Sequence, residues 1–577
     1  MYPVLGADWK RVCQWGHGTI HRSAVAAVAA APHGPLTSAE SMIRLALLAA
    51  LACDTGDAPP KSDAERPVGT EASGPPHTAA CTGDAPGPDV VIVSIDTLRA
   101  DRLGFAGHPN ARTPRLDALA EAGTVFRQAT TPVPRTTPAL ASMMTGLSPH
   151  HHGSREVGDV IVAPQRLPTL LAEHGWRTVG ISAMPVAGPK QKMDKGYDVF
   201  EVHYDAPAVT LAQHTLDRVK EVPTDCPLMV WTHFADPHFP YLPPKTWADQ
   251  PDAPGCRALS ERATNGKVAR YKYFGNRDGI AEPLLADCSA LYDAEIAYAD
   301  HGVGTLLDGL AALGRTDPIV VFTADHGENM GEWGLYFEHG PNGHDASLRI
   351  PLVFKGPGVR VATVDDPATL EDVMPTLLAL TGVTAPDAMP FDGRDLFGTA
   401  EPPPWVRAES GSTLHARLTD YLVAGRAKRL HCIHGPRYSL CDGPKRSDLL
   451  FDRTTDPDLK RPLLAGADTS VLAITRSELR SAWAPWPVER TRQRLVRTPS
   501  HTLVATPTLS GRYDVALYNH QADPELTTNV AATEPEVAAT LTPILTAWHA
   551  ELDAANTPVS ERTEEQEEAL RALGYIE

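Results

Sequence analysis

The feature that most restricts the fold is an alternation of short, β-branched apolar runs with amphipathic helical segments, sustained from Asp89 to Phe354. DVVIVSI (89–95) reads as a strand buried on both faces, and TPRLDALAEAG (113–123) reads as a helix closed by Gly. The pattern repeats in RLPTLLAEHGW followed by RTVGISA, in CPLMVWTHF, in the long LYDAEIAYADHGVGTLLDGLAALG, in DPIVVFTADHG and in LRIPLVF. Such alternation predicts an α/β fold with a doubly wound, mostly parallel sheet flanked by helices. From about residue 405 the texture changes to short runs broken by Gly and Pro, as in YLVAGRAKRLHCI and HTLVATPTLSGRYDVALY, which predicts a smaller antiparallel sheet. LLFDRTTDPDLKRPLLA (449–465) and ALYNHQADPELTTNVAA (516–532) echo each other weakly, and RTEEQEEALRALG near the end predicts a helix with a Thr563/Gln566 capping box.

At 577 residues the chain exceeds one ordinary core, so a large domain over 89–400 and a C-terminal subdomain with tail helix over 401–577 are expected. A formal charge of −19 repels polyanions, which argues against nucleic acid as a partner. Met42-Ile43-Arg44 precedes LALLAALAC (45–53), a basic residue ahead of an apolar run far short of the roughly 20 residues that span a bilayer. It resembles a bacterial lipoprotein signal ending at Cys53. The expectation is export, to the periplasm or cell surface, with a lipid anchor at Cys53, residues 1–41 being a non-structural extension. Residues 54–88, rich in Pro, Gly, Ala, Asp and Thr, read as a disordered tether. Removing Cys13 and Cys53 from the eight cysteines leaves Cys81, Cys226, Cys256, Cys288, Cys432 and Cys441, an even set suited to disulfides, with Cys432 and Cys441 the nearest candidates.

Ligands of open α/β sheets gather at the carboxyl ends of strands. Three such ends carry polar residues: Asp96 in SIDTLRADRLG, Asp325 and His326 in ADHGE, and His233, Asp236 and His238 in HFADPHFPY. A lone Asp after a strand is usually a turn or helix cap, but several Asp and His at one edge suit a divalent metal. TTPVPRTTPALASMMTG (130–146) raises a parallel choice. Thr136 reads either as a helix cap ahead of Pro138 or as a hydroxyl held at a helix N-terminus, where a metal could activate it. The run His150-His151-His152 reads as loop packing or solvent-exposed surface, with a substrate contact from His152 as the alternative, and receives no role.

Taken in order, DVVIVSIDTLRADRLGFAG, TTPALASMMTG, HFADPHFPY, LYDAEIAYAD, FTADHGENMGE, SLRIPLV and LYNHQADPE resemble the sulfatase family of the alkaline phosphatase superfamily from about residue 89 to the end. The resemblance implies an alkaline-phosphatase-like sheet and one divalent metal held by Asp96, Thr136, Asp325 and His326; the mixed Asp oxygen and His nitrogen donors favour zinc or manganese, with calcium also compatible. It implies Thr136 as nucleophile, and His238 and His339 as groups that bind the ester or protonate the leaving group. His344, Asp345 and Arg349 fall where the family has structural residues.

The chain departs from the family at three places. The frame that elsewhere yields formylglycine from Cys or Ser reads Thr136-Thr137-Pro138-Ala139-Leu140, so no formylglycine is expected and the usual Arg is Leu140. The paired aspartates of calcium sulfatases are Asp96-Thr97, and the Gly-Lys-x-His element falls on Ser182-Ala183-Met184-Pro185. The resulting expectation is a metal-dependent hydrolase of a sulfate or phosphate ester, phosphodiesterase-like, acting on a small-molecule, glycan or lipid ester. The alternatives are a phosphotransferase on an envelope polymer or lipid, and an inactive lipoprotein of the same fold that binds sulfated or phosphorylated glycans.

Overall fold

β1 (Val90–Ile95) starts the main sheet, and the chain then runs through α1 (Pro114–Glu121), β2 (Thr124–Thr130), α2 (Thr136–Thr145) and the single turn α3 (Pro149–His152). It continues through α4 (Leu167–Glu173), β3 (Arg177–Ser182), β4 (Val199–Val202), α5 (Ala208–Val219), β5 (Leu228–Phe234), α6 (Pro254–Thr264) and the 31-residue α7 (Glu282–Ala312). β6 (Ile319–Ala324) leads into a hairpin of β7 (Asn329–Met330) and β8 (Tyr336–Glu338), then α8 (Asp345–Leu348), β9 (Leu352–Lys355), β10 (Ala362–Thr369) and α9 (Val373–Thr381). This computed structural model describes residues 87–245, 247, 251–264, 280–386, 389–411, 492–507 and 513–554, with the backbone of strands at 432–434, 438–442, 448–452 and 464–465. The described residues belong to one compact unit, Val68–Glu577.

Eight strands form the main sheet in the order β10-β2-β9-β6-β1-β5-β3-β4. Only β9 runs antiparallel to its neighbours, so the sheet is mostly parallel, in keeping with the α/β expectation. The central strands VVIVSI, LMVWTHF and IVVFTA are buried along their whole length because helices cover the sheet, which is why they read as continuous apolar runs. α7 closes on α5 through glycines: a Cβ at Gly302 would lie 2.6 Å from the Ala208 side chain, and one at Gly309 would lie 2.3 Å from Leu216.

Among the described residues the C-terminal region holds two four-stranded antiparallel sheets. One joins β11 (Val406–Glu409) to three later strands, the other is β12 (Cys432–His434), β13 (Tyr438–Asp442), β14 (Asp448–Asp452) and β15 (Leu464–Ala465). The first is completed by β16 (Arg494–Arg497), β17 (His501–Pro507) and β18 (Tyr513–Asn519), the last two being the predicted HTLVATP and YDVALY runs. α10 (Pro535–Ala554) packs on this sheet through Leu541, Leu545, Trp548 and Leu552 against Val496, Leu503 and Leu517. Sequence reading did not place α10, because Thr and Pro543 weaken its local helix signal; the apolar stripe meeting the sheet supplies what propensity lacks. The predicted RTEEQEEALRALG helix, the signal-like segment and all but the last two residues of the tether lie outside the described residues.

Cys256 in α6 is bonded to Cys288 in α7, and Cys226 is disulfide-bonded as well. The backbone positions of Cys432 and Cys441 are partners in the β12–β13 register. The Cys256–Cys288 bridge closes 32 residues, for which chain entropy gives about 3–4 kcal/mol. Replacing both cysteines by Ser should lower the unfolding free energy by about that amount in urea titrations of the oxidised protein, and equal midpoints would show the bridge to be energetically idle.

Candidate metal and nucleophile site

The parallel order β6-β1-β5 puts three strand ends side by side. Ile95 pairs with Phe234 on one side and with Ala324 on the other, so Asp96 emerges next to Asp325. The chain turns sharply at Thr97, a non-glycine residue at φ 57°, a conformation that costs about 1–3 kcal/mol and is held by its surroundings. The Thr97 amide donates to Asp325 Oδ1 at 3.2 Å, and the Tyr292 hydroxyl donates to the Thr97 carbonyl at 2.6 Å. Arg99 then bridges to the β7–β8 hairpin, donating to the Glu328 carbonyl at 3.2 Å and to Glu332 at 2.6 Å.

Thr136 begins α2, and its side chain does not cap the helix. The N-cap is Arg135, in extended conformation, with no side-chain cap bond. All ten residues of α2 are buried, and Thr136 Oγ1 lies 3.4 Å from His326 Nε2. The neighbouring Thr137 is occupied structurally, donating to the Val186 carbonyl at 2.7 Å and accepting from the Gly158 amide at 2.9 Å. The cap reading of Thr136 is therefore set aside.

Asp96, Asp325 and His326 are fully buried, and one ligand atom from each lies within 4.8 Å of the others. His326 Nδ1 is 2.9 Å from the Gly327 carbonyl, which can only accept, so Nδ1 carries a proton. Nε2 then faces Asp325 Oδ2 at 3.3 Å and Asp96 Oδ1 at 3.8 Å. Burial lowers His326 to about 3, helped by His238, Arg135 and His233, and so leaves Nε2 as a lone pair. Burial raises Asp325 to about 7 against the opposing hydrogen bonds from the His326 and Thr97 amides. Two carboxylates and an imidazole lone pair converging in a dry site need a positive charge among them, and this O,O,N donor set fits a divalent metal.

Two further residues shape the site without having been assigned a role from sequence. His233, in β5, is fully buried; Trp231 donates to Ser94 Oγ at 2.9 Å, and Ser94 Oγ meets His233 Nδ1 at 2.9 Å. The relay that satisfies all three groups puts the proton of neutral His233 on Nε2, which faces Asp96 Oδ2 at 3.8 Å. Glu328 sets its carboxylate 3.2 Å from His339 Nδ1. His339 lies on His326 with ring centroids 4.2 Å apart and meets His238 edge-on at 5.4 Å, so the three imidazoles are grouped. His238 Nδ1 is fixed by the Phe239 carbonyl at 2.6 Å. The ADHGE motif held the signal for Glu328, since it follows His326 by two residues at the same strand end.

The family model described as Sulfatase matches residues 88–383, more than half of the chain. The chain belongs to the sulfatase family. The family places it among the sulfuric and phosphoric ester hydrolases, and sulfatase-family enzymes are metal-dependent. It is 26% identical over 423 residues to the ulvan-active sulfatase of Formosa agariphila, covering 67% of this chain and 78% of that protein. It is 24% identical over 431 residues to the choline-sulfatase of Rhizobium meliloti, covering 64% of this chain and 81% of that protein. In fold it is similar to the phosphonate monoester hydrolase of Agrobacterium radiobacter (TM-score 0.54, 19% identity, 82% of this chain, 100% of that one). It is also similar to that of Silicibacter pomeroyi (TM-score 0.54, 17% identity, 83% and 98%).

Three residues of this sulfatase-family chain that lead into β9 have structural contacts. His344 Nδ1 accepts from the Ala346 amide at 3.0 Å and caps α8, and its Nε2 meets the Glu525 carbonyl at 3.1 Å. Asp345 is paired with Arg497 of β16, and Arg349 donates to the Arg127 carbonyl at 3.0 Å. His152, the last of the histidine run, is buried against Ser142, with Oγ and Nε2 3.0 Å apart. It packs the end of α2.

Proposed function

We propose that the chain is a metal-dependent hydrolase of a sulfate or phosphate ester in which unmodified Thr136 is the nucleophile. The observation that carries this reading is the hydroxyl of Thr136, buried at the first turn of α2 and 3.4 Å from His326 Nε2. Asp96, Thr136, Asp325 and His326 would hold one divalent ion, zinc or manganese before calcium given the imidazole ligand. The chemistry such an ion supplies is a lowered pKa for the hydroxyl and neutralisation of charge on the ester oxygens.

In this reading Thr136 releases its hydroxyl proton to solvent as Oγ1 forms the new bond to phosphorus or sulfur in line with the departing oxygen, and the start of α2 favours the anionic group it binds. His339, oriented by Glu328, or His238 gives a proton to the leaving alcohol as its bond breaks. Water then attacks the Thr136 ester and restores the hydroxyl. A formylglycine hydrate can expel sulfate by hemiacetal collapse without a second attack at sulfur. Threonine lacks that route, which favours phosphorus as the reacting centre.

Export with a lipid anchor at Cys53 and the division near residue 400 belong to the same proposal. The Cys256–Cys288 disulfide supports an oxidising compartment. Among the described residues no helix is long and apolar enough to cross a membrane.

The test is turnover of nitrophenyl sulfate, phosphate monoester and phosphate diester by the full chain, stripped with chelator and resupplied with zinc, manganese or calcium. Stripping should cost about 100-fold or more in kcat, with recovery in zinc or manganese. Turnover indifferent to the chelator would remove the metal from the mechanism, and none on any ester would favour the binding-protein alternative.

A further inference from the structure

We propose that His150, His151 and Glu551 form a second divalent-metal site, suited to zinc, that clips the C-terminal helix α10 to the turn following α2. One nitrogen of each imidazole and one carboxylate oxygen of Glu551 lie within 4.8 Å of one another. His150 Nε2 is 3.5 Å from Glu551 Oε1, close to the edge of about 3.3 Å expected between ligands of a tetrahedral zinc with bonds near 2.0–2.1 Å.

Independent of that spacing, the His150 side chain is only 7% exposed and its Nε2 makes no hydrogen bond, though Glu551 faces it. A buried imidazole nitrogen in that state costs free energy unless something supplies a bond. The Nδ1 nitrogens of both rings are already engaged. His150 Nδ1 is 3.2 Å from Ser148 Oγ, and His151 Nδ1 is 2.6 Å from Asp392 Oδ2. A carboxylate on one ring nitrogen is the arrangement that orients a metal-bound histidine, and in this proposal Nε2 of His151 is the ligand. The two rings lie together, with centroids 3.9 Å apart. Arg407, 3.0 Å from Glu551 Oε2, holds the carboxylate in place. Two imidazoles and a carboxylate suit zinc better than magnesium or calcium.

This site shares no residue with the Asp96–Asp325–His326 cluster, so the two stand or fall separately. The test is to load the full chain with zinc, pass it through gel filtration and measure zinc per chain for wild type, Glu551→Gln, His150→Gln and Asp325→Asn. Glu551 and His150 variants should each retain one equivalent fewer than wild type, and zinc should raise the Tm of wild type but raise that of Glu551→Gln less. Equal zinc content in wild type and both variants overturns the clip. Loss of an equivalent only in Asp325→Asn does the same while sustaining the catalytic metal, whereas loss only in the other two sustains the clip and removes the catalytic metal. Should His150→Gln fail to fold, Glu551→Gln decides alone, since that side chain is 42% exposed.

Discussion

Replacing Thr136 by Ala is expected to lower kcat for phosphoester cleavage by about four orders of magnitude or more, with the melting temperature changed little. The size follows from the kind of group removed. A binding contact contributes a few kcal/mol, whereas loss of a nucleophile leaves only positioning and electrostatic stabilisation by the rest of the site. Thr136→Ser keeps the hydroxyl at the same place in α2 and should retain turnover within about tenfold. A purely structural Thr136 gives the opposite pattern, with both variants active and stability carrying the difference. Sulfate cleavage that survives Thr136→Ala would mean that another group attacks.

The second large effect concerns the junction between the catalytic sheet and the C-terminal sheet. Arg497 in β16 donates to both oxygens of Asp345, at 2.9 and 3.2 Å, and to Gln128 at 2.9 Å, with only 3% of its own side chain exposed. Burial alone would raise Asp345, but Arg497 beside it, with Arg349 and His520, holds the carboxyl well below the usual carboxylate range. Arg497→Ala leaves that carboxylate buried without its main partner and should destabilise the protein by about 3–5 kcal/mol in urea unfolding. The sign with pH follows from a depressed folded pKa: the pair stabilises fully above the unfolded value of about 3.9, and its contribution is lost as pH falls through the folded value. The gap between wild type and variant should therefore be widest near neutrality and narrow below about pH 3. A gap that does not change with pH would assign the effect to lost packing of the Arg497 stem.

Much of the fold was legible because its cause is local. Val90 to Ile95, Leu228 to Phe234 and Ile319 to Ala324 read as buried strands since a sheet covered by helices needs apolar residues at every position. The polar residues after them stood out for the same reason. α10 was missed because its stability comes from Leu541, Leu545, Trp548 and Leu552 meeting a sheet formed elsewhere in the chain.

Residue types and their order along the chain were enough for the α/β class and the family resemblance, from which Asp96, Thr136, His238, Asp325, His326 and His339 came as candidates. Which of these meet depended on hydrogen-bonded register and packing, which are non-local. The pairing of β1 with both β5 and β6 puts Asp96 beside Asp325, and the burial of α2 brings Thr136 to His326, 190 residues away in sequence. The same packing left the Thr136 side chain out of the helix cap, set Glu328 against His339, and brought Glu551 to two histidines that had carried no meaning in the linear chain.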